Sequence, residues 1–408
     1  MNRQVLRLAA ICALLSAPLA PVTAGVLSGN CRTAEQPAAT LLYPYFEVDL
    51  QRNDGATTLI SINNSSSSST VARVVMWTDW GAPTLAFDVY LTGYDVQSLN
   101  LRDLLGGKLP ATSQLASPEG ELSDANTAFA GCDGNPKAVT ALGQANWDYL
   151  QAAHTGRPLP GSSPSQCIGS GQSGSQVATG YVTVDVVNRC SGASVGKKEN
   201  TPADPAYFAA GGTGLASNLN VLWGESFAVN PGRGFADSQT AVHILADGDA
   251  FSPGDYTFYG RYVKYDSRDD RAPLSSLYYV RYLNGGPFSG GSDLVVWRDN
   301  RDANVTARSC GTAPSWAPLG EYQMVAFDEE ENPTLIPNSQ AFPLASQKVQ
   351  VGGSSLEVGK SYGWLMIDLW HSDATHAQGW VGVTMSAEGR FSVSHAAVRV
   401  DDLCNFGL

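Results

Sequence analysis

The sequence lacks most of the signals from which a function is usually read. It contains no Cys-x-x-Cys pair, so neither a zinc knuckle nor a thioredoxin-type site is indicated. It has no phosphate-binding loop, no dinucleotide-binding glycine fingerprint and no His-Glu-x-x-His. Basic residues are few: 25 Lys and Arg stand against 38 Asp and Glu, a formal net charge of −13. That balance argues against nucleic acid or an anionic membrane as a partner, because phosphate binding needs a basic face. No apolar run reaches the roughly 18 residues of a membrane-spanning helix. Regular alternation of strands with helices is missing too, which excludes an ordinary α/β fold.

What is present begins with a leader. Arg3 and Arg7 give a positive start, Leu8 to Ala20 is apolar, and Val22-Thr-Ala24 offers small residues before a cut at Gly25. Residues 1–24 are therefore predicted to be a signal peptide, and the mature chain to be exported: secreted, periplasmic or at the cell surface. Of the 7 cysteines, Cys12 leaves with the leader. An even set in an exported chain predicts disulfides. Spacing does not fix their pairing; keeping each bridge inside its own half suggests Cys132–Cys167, Cys31–Cys190 and Cys310–Cys404.

The halves are suggested by an internal echo. Val74-Val-Met-Trp-Thr-Asp79 recurs as Leu294-Val-Val-Trp-Arg-Asp299, at an offset of 220. At the same offset Thr57 to Asn64 answers Leu277 to Asn284, and before them Thr40 to Asp49 answers Thr257 to Asp266. Downstream, Asp95-Val-Gln answers Glu321-Tyr-Gln, Gly180 to Val186 answers Gly363 to Leu369, and Ala241 to Ile244 answers Ala397 to Val400. Period-two alternation, as in Phe87, Val89 and Leu91 against Asp88, Tyr90 and Thr92, predicts antiparallel sheets with one apolar and one wet face. Many short strands separated by Gly, Pro, Asn and Ser favour sandwiches. The expected fold is all-β: two tandem antiparallel β-sandwich (Ig-like) domains, residues 31–250 and 251–408, with an insert at 106–176 in the first. The insert carries one helix, expected from a cap at Asn135 and Pro136 to an end at Gly156.

The run from Leu41 to Leu50, through Arg73 to Trp80, to Phe87 to Asp95 resembles a group of predicted secreted bacterial proteins. Gly180 to Asn188 and Ala326 to Pro333 are similar to the same group. The resemblance implies a bacterial, exported origin; no activity is assigned to that group, so it supplies no catalytic residue.

Candidate chemistry is sparse. Gly359-Lys-Ser361-Tyr-Gly363 matches a nucleophile elbow, but a strand-like run follows where the elbow needs a helix. His371, Asp373 and His376 could serve a metal or acid–base site only if a loop made them converge. The acidic link holding Asp247, Asp249 and Asp255 offers three carboxylates to Ca2+ but lacks the EF-hand spacing, and a plain acidic turn is the better account of it. Trp77 and Trp297, inside apolar runs, are expected in the core, whereas Trp80, Trp147, Trp223, Trp316 and Trp380 are open to exposure. The sequence thus favours a non-enzymatic binding or structural module, with a glycan or a cell-surface protein as partner. Two alternatives stay open: a secreted hydrolase whose site lies between the domains, using His154, His371, Asp373 or His376, and a calcium-stabilised adhesion protein.

Overall fold

A computed structural model describes residues 36–112, 140–171, 176–208, 214–248, 251–264, 266, 268–299, 305–312, 314, 323–336, 342, 344–369, 378–387 and 389–399. Its first strands are β1 (Thr40–Asp49), β2 (Thr57–Asn64), β3 (Thr70–Thr78), β4 (Pro83–Leu91), β5 (Val96–Asn100), β6 (Lys108–Leu109), β7 (Thr140–Ala141), β8 (Gln166–Cys167), β9 (Val177–Val187), β10 (Ser194–Val195), β11 (Leu222–Asn230), β12 (Phe235–Thr240) and β13 (Val242–Ile244). After a linker come β14 (Leu277–Leu283), β15 (Gly291–Arg298), β16 (Arg308–Ser309), β17 (Met324–Phe327), β18 (Pro333–Leu335), β19 (Ser346–Gln350), β20 (Tyr362–Asp368), β21 (Gly379–Ala387), β22 (Phe391–Ala396) and β23 (Val398–Arg399). The helices α1 (Leu101–Leu105), α2 (Gln144–Thr155) and α3 (Gly260–Val263) are short. The fold is mostly β, as the alternating pattern predicts.

Four sheets form two stacked pairs. The first sheet runs β10-β4-β3-β9-β1-β13 and the second β12-β11-β2-β5. Leu41, Tyr43, Phe46, Ile60, Ile62, Val74 and Val184 fill the space between them. The third sheet runs β18-β17-β20-β14-β23 and the fourth β22-β21-β15-β19. Tyr278, Val280, Leu294, Val296, Leu365 and Val383 fill that second sandwich. Apart from the two-residue β10, the strand order of the two sandwiches is the same when β1, β2, β3, β4, β5, β9, β11, β12 and β13 are set against β14, β15, β17, β18, β19, β20, β21, β22 and β23.

This correspondence differs from the 220-residue echo by one strand. Trp77 lies on β3, between β4 and β9, whereas Trp297 lies on β15, between β19 and β21. The equivalent of β3 is β17, so Val75-Met-Trp77 matches Val325-Ala-Phe327, and Ala82-Pro-Thr-Leu85 matches Asn332-Pro-Thr-Leu335. The two later matches, Gly180 with Gly363 and Ala241 with Ala397, fall on equivalent strands. Both glycines obey one steric demand: a Cβ on Gly180 would sit 2.2 Å from the Trp77 carbonyl oxygen, and one on Gly363 2.0 Å from that of Phe327. The apparent opening of the second copy at residues 257–266 contains the helix α3 rather than a strand. Apolar runs ending in an aromatic residue recur on several strands, and period-two patterns alone cannot tell one strand from its neighbour.

The expected wet face is dry. On β3 and β4 every residue is buried, and β9 is buried from Ala178 onward. Arg73 and Asp88 form a fully buried ion pair at 2.9 Å. Arg73 also donates to the Asn200 carbonyl at 3.1 Å, and Asp88 accepts from the Ser191 and Gly192 amides, both at 2.7 Å, so a loop is fastened over the sheet. Beside it the linker, from Thr257 to Leu274, and the outer face of the fourth sheet complete the cover. Trp77 stacks on Tyr181 with centroids 5.7 Å apart, Tyr181 meets the edge of Trp297 at 5.9 Å, and Phe258 stacks on Trp297 at 5.4 Å. Hence Trp77 and Trp297 are core residues, but of the interface between sandwiches and not of either sandwich.

Two further expectations are corrected. Helix α2 begins at Gln144, after an N-cap at Gly143, not at Asn135 and Pro136, which lie outside the described residues. Thr140–Ala141 instead pairs with Lys108–Leu109, and a strand cannot continue into the helix backwards from Gly143. The helix does end at Gly156, in the left-handed region at φ 68°. Cys167 bonds Cys310, with Cα atoms 4.9 Å apart, and not Cys132; nor is Cys310 left for Cys404. Antiparallel pairing of β8 with β16 sets Cys167 opposite Arg308 and brings the insert against the second sandwich, so the bridge crosses between halves. Cys190 is also disulfide-bonded, while Cys31, Cys132 and Cys404 lie outside the described residues.

The linker is held by Arg271, whose side chain is 1% exposed. Its Nε donates to Thr40 Oγ1 at 2.5 Å, and its guanidinium lies 3.5 Å from Asp185 and 3.3 Å from Asp269. Removing one partner of a buried ion pair strands the others in a low dielectric. Arg271→Met should therefore lower stability by about 3–5 kcal/mol, read from urea midpoints. Replacing Cys167 and Cys310 with serine opens a loop of sequence separation 143. On chain-entropy grounds the loss is at most about 5 kcal/mol, and it should appear as a lower midpoint without reductant.

Candidate functional site

The interface between the sandwiches changes character along its length. Residues two apart share a face of a strand. On β15 the outward series Trp297, Val295, Asp293 runs from buried aromatic to partly open acid. On β21 the series is Trp380, Gly382, Thr384, and on β1 a bulge between Tyr43 and Phe46 turns Tyr45, Glu47 and Asp49 outward. One end of the interface is thus an aromatic stack, and the other opens as a cleft of about 520 Å³.

The cleft has two walls. The hairpin β11–β12 supplies Ser226, Asn230, Phe235, Asp237 and Gln239. Ser226 pairs in register with both Ile60 and Gln239, so these residues continue the inward face of the second sheet beyond the sandwich core. The opposite wall is the outer face of the fourth sheet, with Asp293, Lys348, Gln350, Thr384 and Ser386. Tyr45 and Glu47 form the floor.

Lys348 reaches across to make an ion pair with Glu47, and its ammonium lies 5.5 Å from the centroid of the Tyr45 ring. Tyr45 donates to Glu47 Oε2 at 3.3 Å, and Thr58 Oγ1 donates to the Glu47 carbonyl at 3.2 Å. Burial raises the pKa of Asp293; Lys348 pulls it down, Glu47 raises it and Arg233 lowers it. Asp237 accepts from the Thr384 hydroxyl at 3.3 Å and from that of Ser394, and Ser392 Oγ donates to the Ala236 carbonyl at 2.6 Å, which closes one end of the cleft. The lining therefore combines carboxylates, cations, hydroxyls and side-chain amides with the rings of Tyr45, Phe235 and Phe391.

The sequence-derived candidates lie elsewhere. His154 is fully buried on α2, with Nδ1 2.9 Å from the Thr179 carbonyl and Nε2 2.7 Å from Thr84 Oγ1. The carbonyl needs a donor, so Nδ1 carries the proton and Nε2 accepts from threonine. This is a packed core histidine and not a catalytic base in a cleft. Ser361 is exposed and stands directly before β20, without the helix that an elbow requires. Asp255 accepts from the Ser252 amide at 2.7 Å, as a turn residue does, and the Asp247 amide donates to the Asp270 carbonyl at 2.8 Å. Asp249, His371, Asp373 and His376 lie outside the described residues. Among the described residues no group of three or more His, Cys, Asp or Glu could hold a metal ion. Sequence reasoning missed Glu47, Asp293 and Lys348; the outward positions of β1 and β15 were the available signal, but pairing across 301 residues is invisible in the chain.

Comparison with protein-family models, curated proteins and solved structures gives no match. Among the described residues no helix is long and apolar enough to cross a membrane.

Burial lowers the pKa of His154 from 6.5 to about 4. The imidazole is neutral in both folded and unfolded chains above pH 6.5, so its contribution is fully present there. As the pH falls from 6.5 towards 4 the unfolded chain takes up the proton first, and stability is lost. The loss should be on the order of 3 kcal/mol, and His154→Gln should flatten that part of the pH–stability curve.

Proposed function

We propose that the chain is an exported, non-enzymatic binding or structural module of a bacterial cell surface or extracellular matrix, and that the cleft between the sandwiches seats its ligand. The observation that carries this reading is the cleft's lining, in which hydroxyls, amides and paired charges converge around aromatic rings. That mixture suits a polyhydroxylated, glycan-type ligand: rings take the apolar faces of sugars, and fixed polar groups take the hydroxyls. Mixed charge favours no polyanion. The equal strand order of the two sandwiches, with glycine at both Gly180 and Gly363, supports an origin by duplication of one sandwich.

A second reading is hydrolysis at the same place. Asp293 and Glu47 both line the cleft, burial raises the pKa of Asp293, and two carboxyl groups in one cleft are what acid-assisted glycoside cleavage uses.

One experiment separates the two. The purified exported chain is applied to an array of bacterial and matrix glycans, and hits are followed by calorimetry and by release of reducing ends. The binding reading expects retention without release, and Lys348→Ala should weaken affinity about tenfold, or roughly 1.4 kcal/mol. Release that disappears in Asp293→Asn would replace it with the hydrolase. No retention on any glycan would remove the cleft reading.

A further inference from the structure

Equal topology with unequal burial points to self-assembly. Inside the molecule the outer face of the first sheet packs on the outer face of the fourth, with Trp77 and Tyr181 on one side and Trp297 and Trp380 on the other. Each of these faces has an equivalent that the described residues leave open. The third sheet is the equivalent of the first, and its outer face carries Phe327 stacked on Trp364, with centroids 4.1 Å apart, where the first has Trp77 stacked on Tyr181. Tyr279 meets the edge of Trp364 at 5.1 Å. Around them Leu335, Tyr362 and Val398 are 42%, 51% and 66% exposed.

The second sheet is the equivalent of the fourth. Register makes Trp223 on β11 the equivalent of Trp380 on β21, because each stands seven residues before the end of its strand, Asn230 and Ala387, where the pairing with Phe235 and Phe391 begins. Trp380 is 8% exposed, against the first sheet; Trp223 is 39% exposed and Phe227, four residues on, 38%. Glu225 lies between them on this face, and on the other Arg281, ion-paired with Glu329, lies beside Trp364.

We propose that copies of this chain associate head to tail, the third sheet of one on the second sheet of the next, repeating the contact already present between the two sandwiches. The two faces are different surfaces, so the contact is heterologous and each added copy leaves one of each open. Exposed aromatic and aliphatic side chains gathered on one face mark interaction sites. The internal contact is tethered by the chain and wedged by α3, and an intermolecular one lacks the tether, so assembly depends on concentration.

Sedimentation and light scattering of the exported chain, from micromolar to millimolar concentration, test this. The expected result is a series that passes through dimer to longer oligomers. Trp364→Glu and Trp223→Glu should each give monomers alone. Mixed together they should give a dimer that grows no further, because one live face of each kind remains. If either variant fails to fold by circular dichroism, Leu335→Lys and Phe227→Lys replace them on the same faces. A chain that stays monomeric at all concentrations overturns the proposal. So does a closed dimer that only one of the two variants abolishes, which would mean a symmetric contact.

Discussion

Arg271 is the constraint on which the arrangement of the two sandwiches depends. A guanidinium with 1% exposure cannot remain charged unless its partners repay the water it has lost. Burial opposes its charge, and Asp185 and Asp269 more than restore it, so its pKa is raised. Asp185 in turn is raised by burial and drawn down by Arg271, and it accepts from Thr40 at 2.5 Å and from the hydroxyls of Tyr207 and Tyr259, each at 3.1 Å. The members come from β1, β9, the loop after β10 and the linker. No member can be withdrawn without leaving another unpaired, so the linker has one position on the first sheet, and the second sandwich follows from it.

That placement produces the cleft. With the fourth sheet laid against the first, the large outward residues at one end meet as rings, and the smaller polar ones at the other end leave space. The hairpin β11–β12 extends past its own core and forms the remaining wall. A single face, read along the strands, is therefore adhesive at one end and open at the other. The disulfide between Cys167 and Cys310 ties the insert to the second sandwich from another side, beside Trp80 and Val305.

The β character of the chain was legible, because alternation at period two follows from strand geometry and needs no partner. The helix end at Gly156 was legible for a similar local reason. The internal echo in the sequence is displaced by one strand from the correspondence in strand order. Trp77 and Trp297 share a neighbourhood of apolar residues, but the stronger correspondence, Ala82-Pro-Thr-Leu85 with Asn332-Pro-Thr-Leu335, emerges only when strand order is known. Asp88 was read as facing water, since a charged residue on alternate positions usually does; here a loop covers it.

By itself the sequence determined the strands, their inward faces and the two glycines that let neighbouring backbones approach. These depend on residues close in the chain or on a backbone that tolerates no side chain. Only the tertiary structure decided that the outer face of the first sheet is buried, that Lys348 meets Glu47, and that Cys167 meets Cys310. Each joins segments more than a hundred residues apart, and no local pattern encodes which of several similar faces will find which partner.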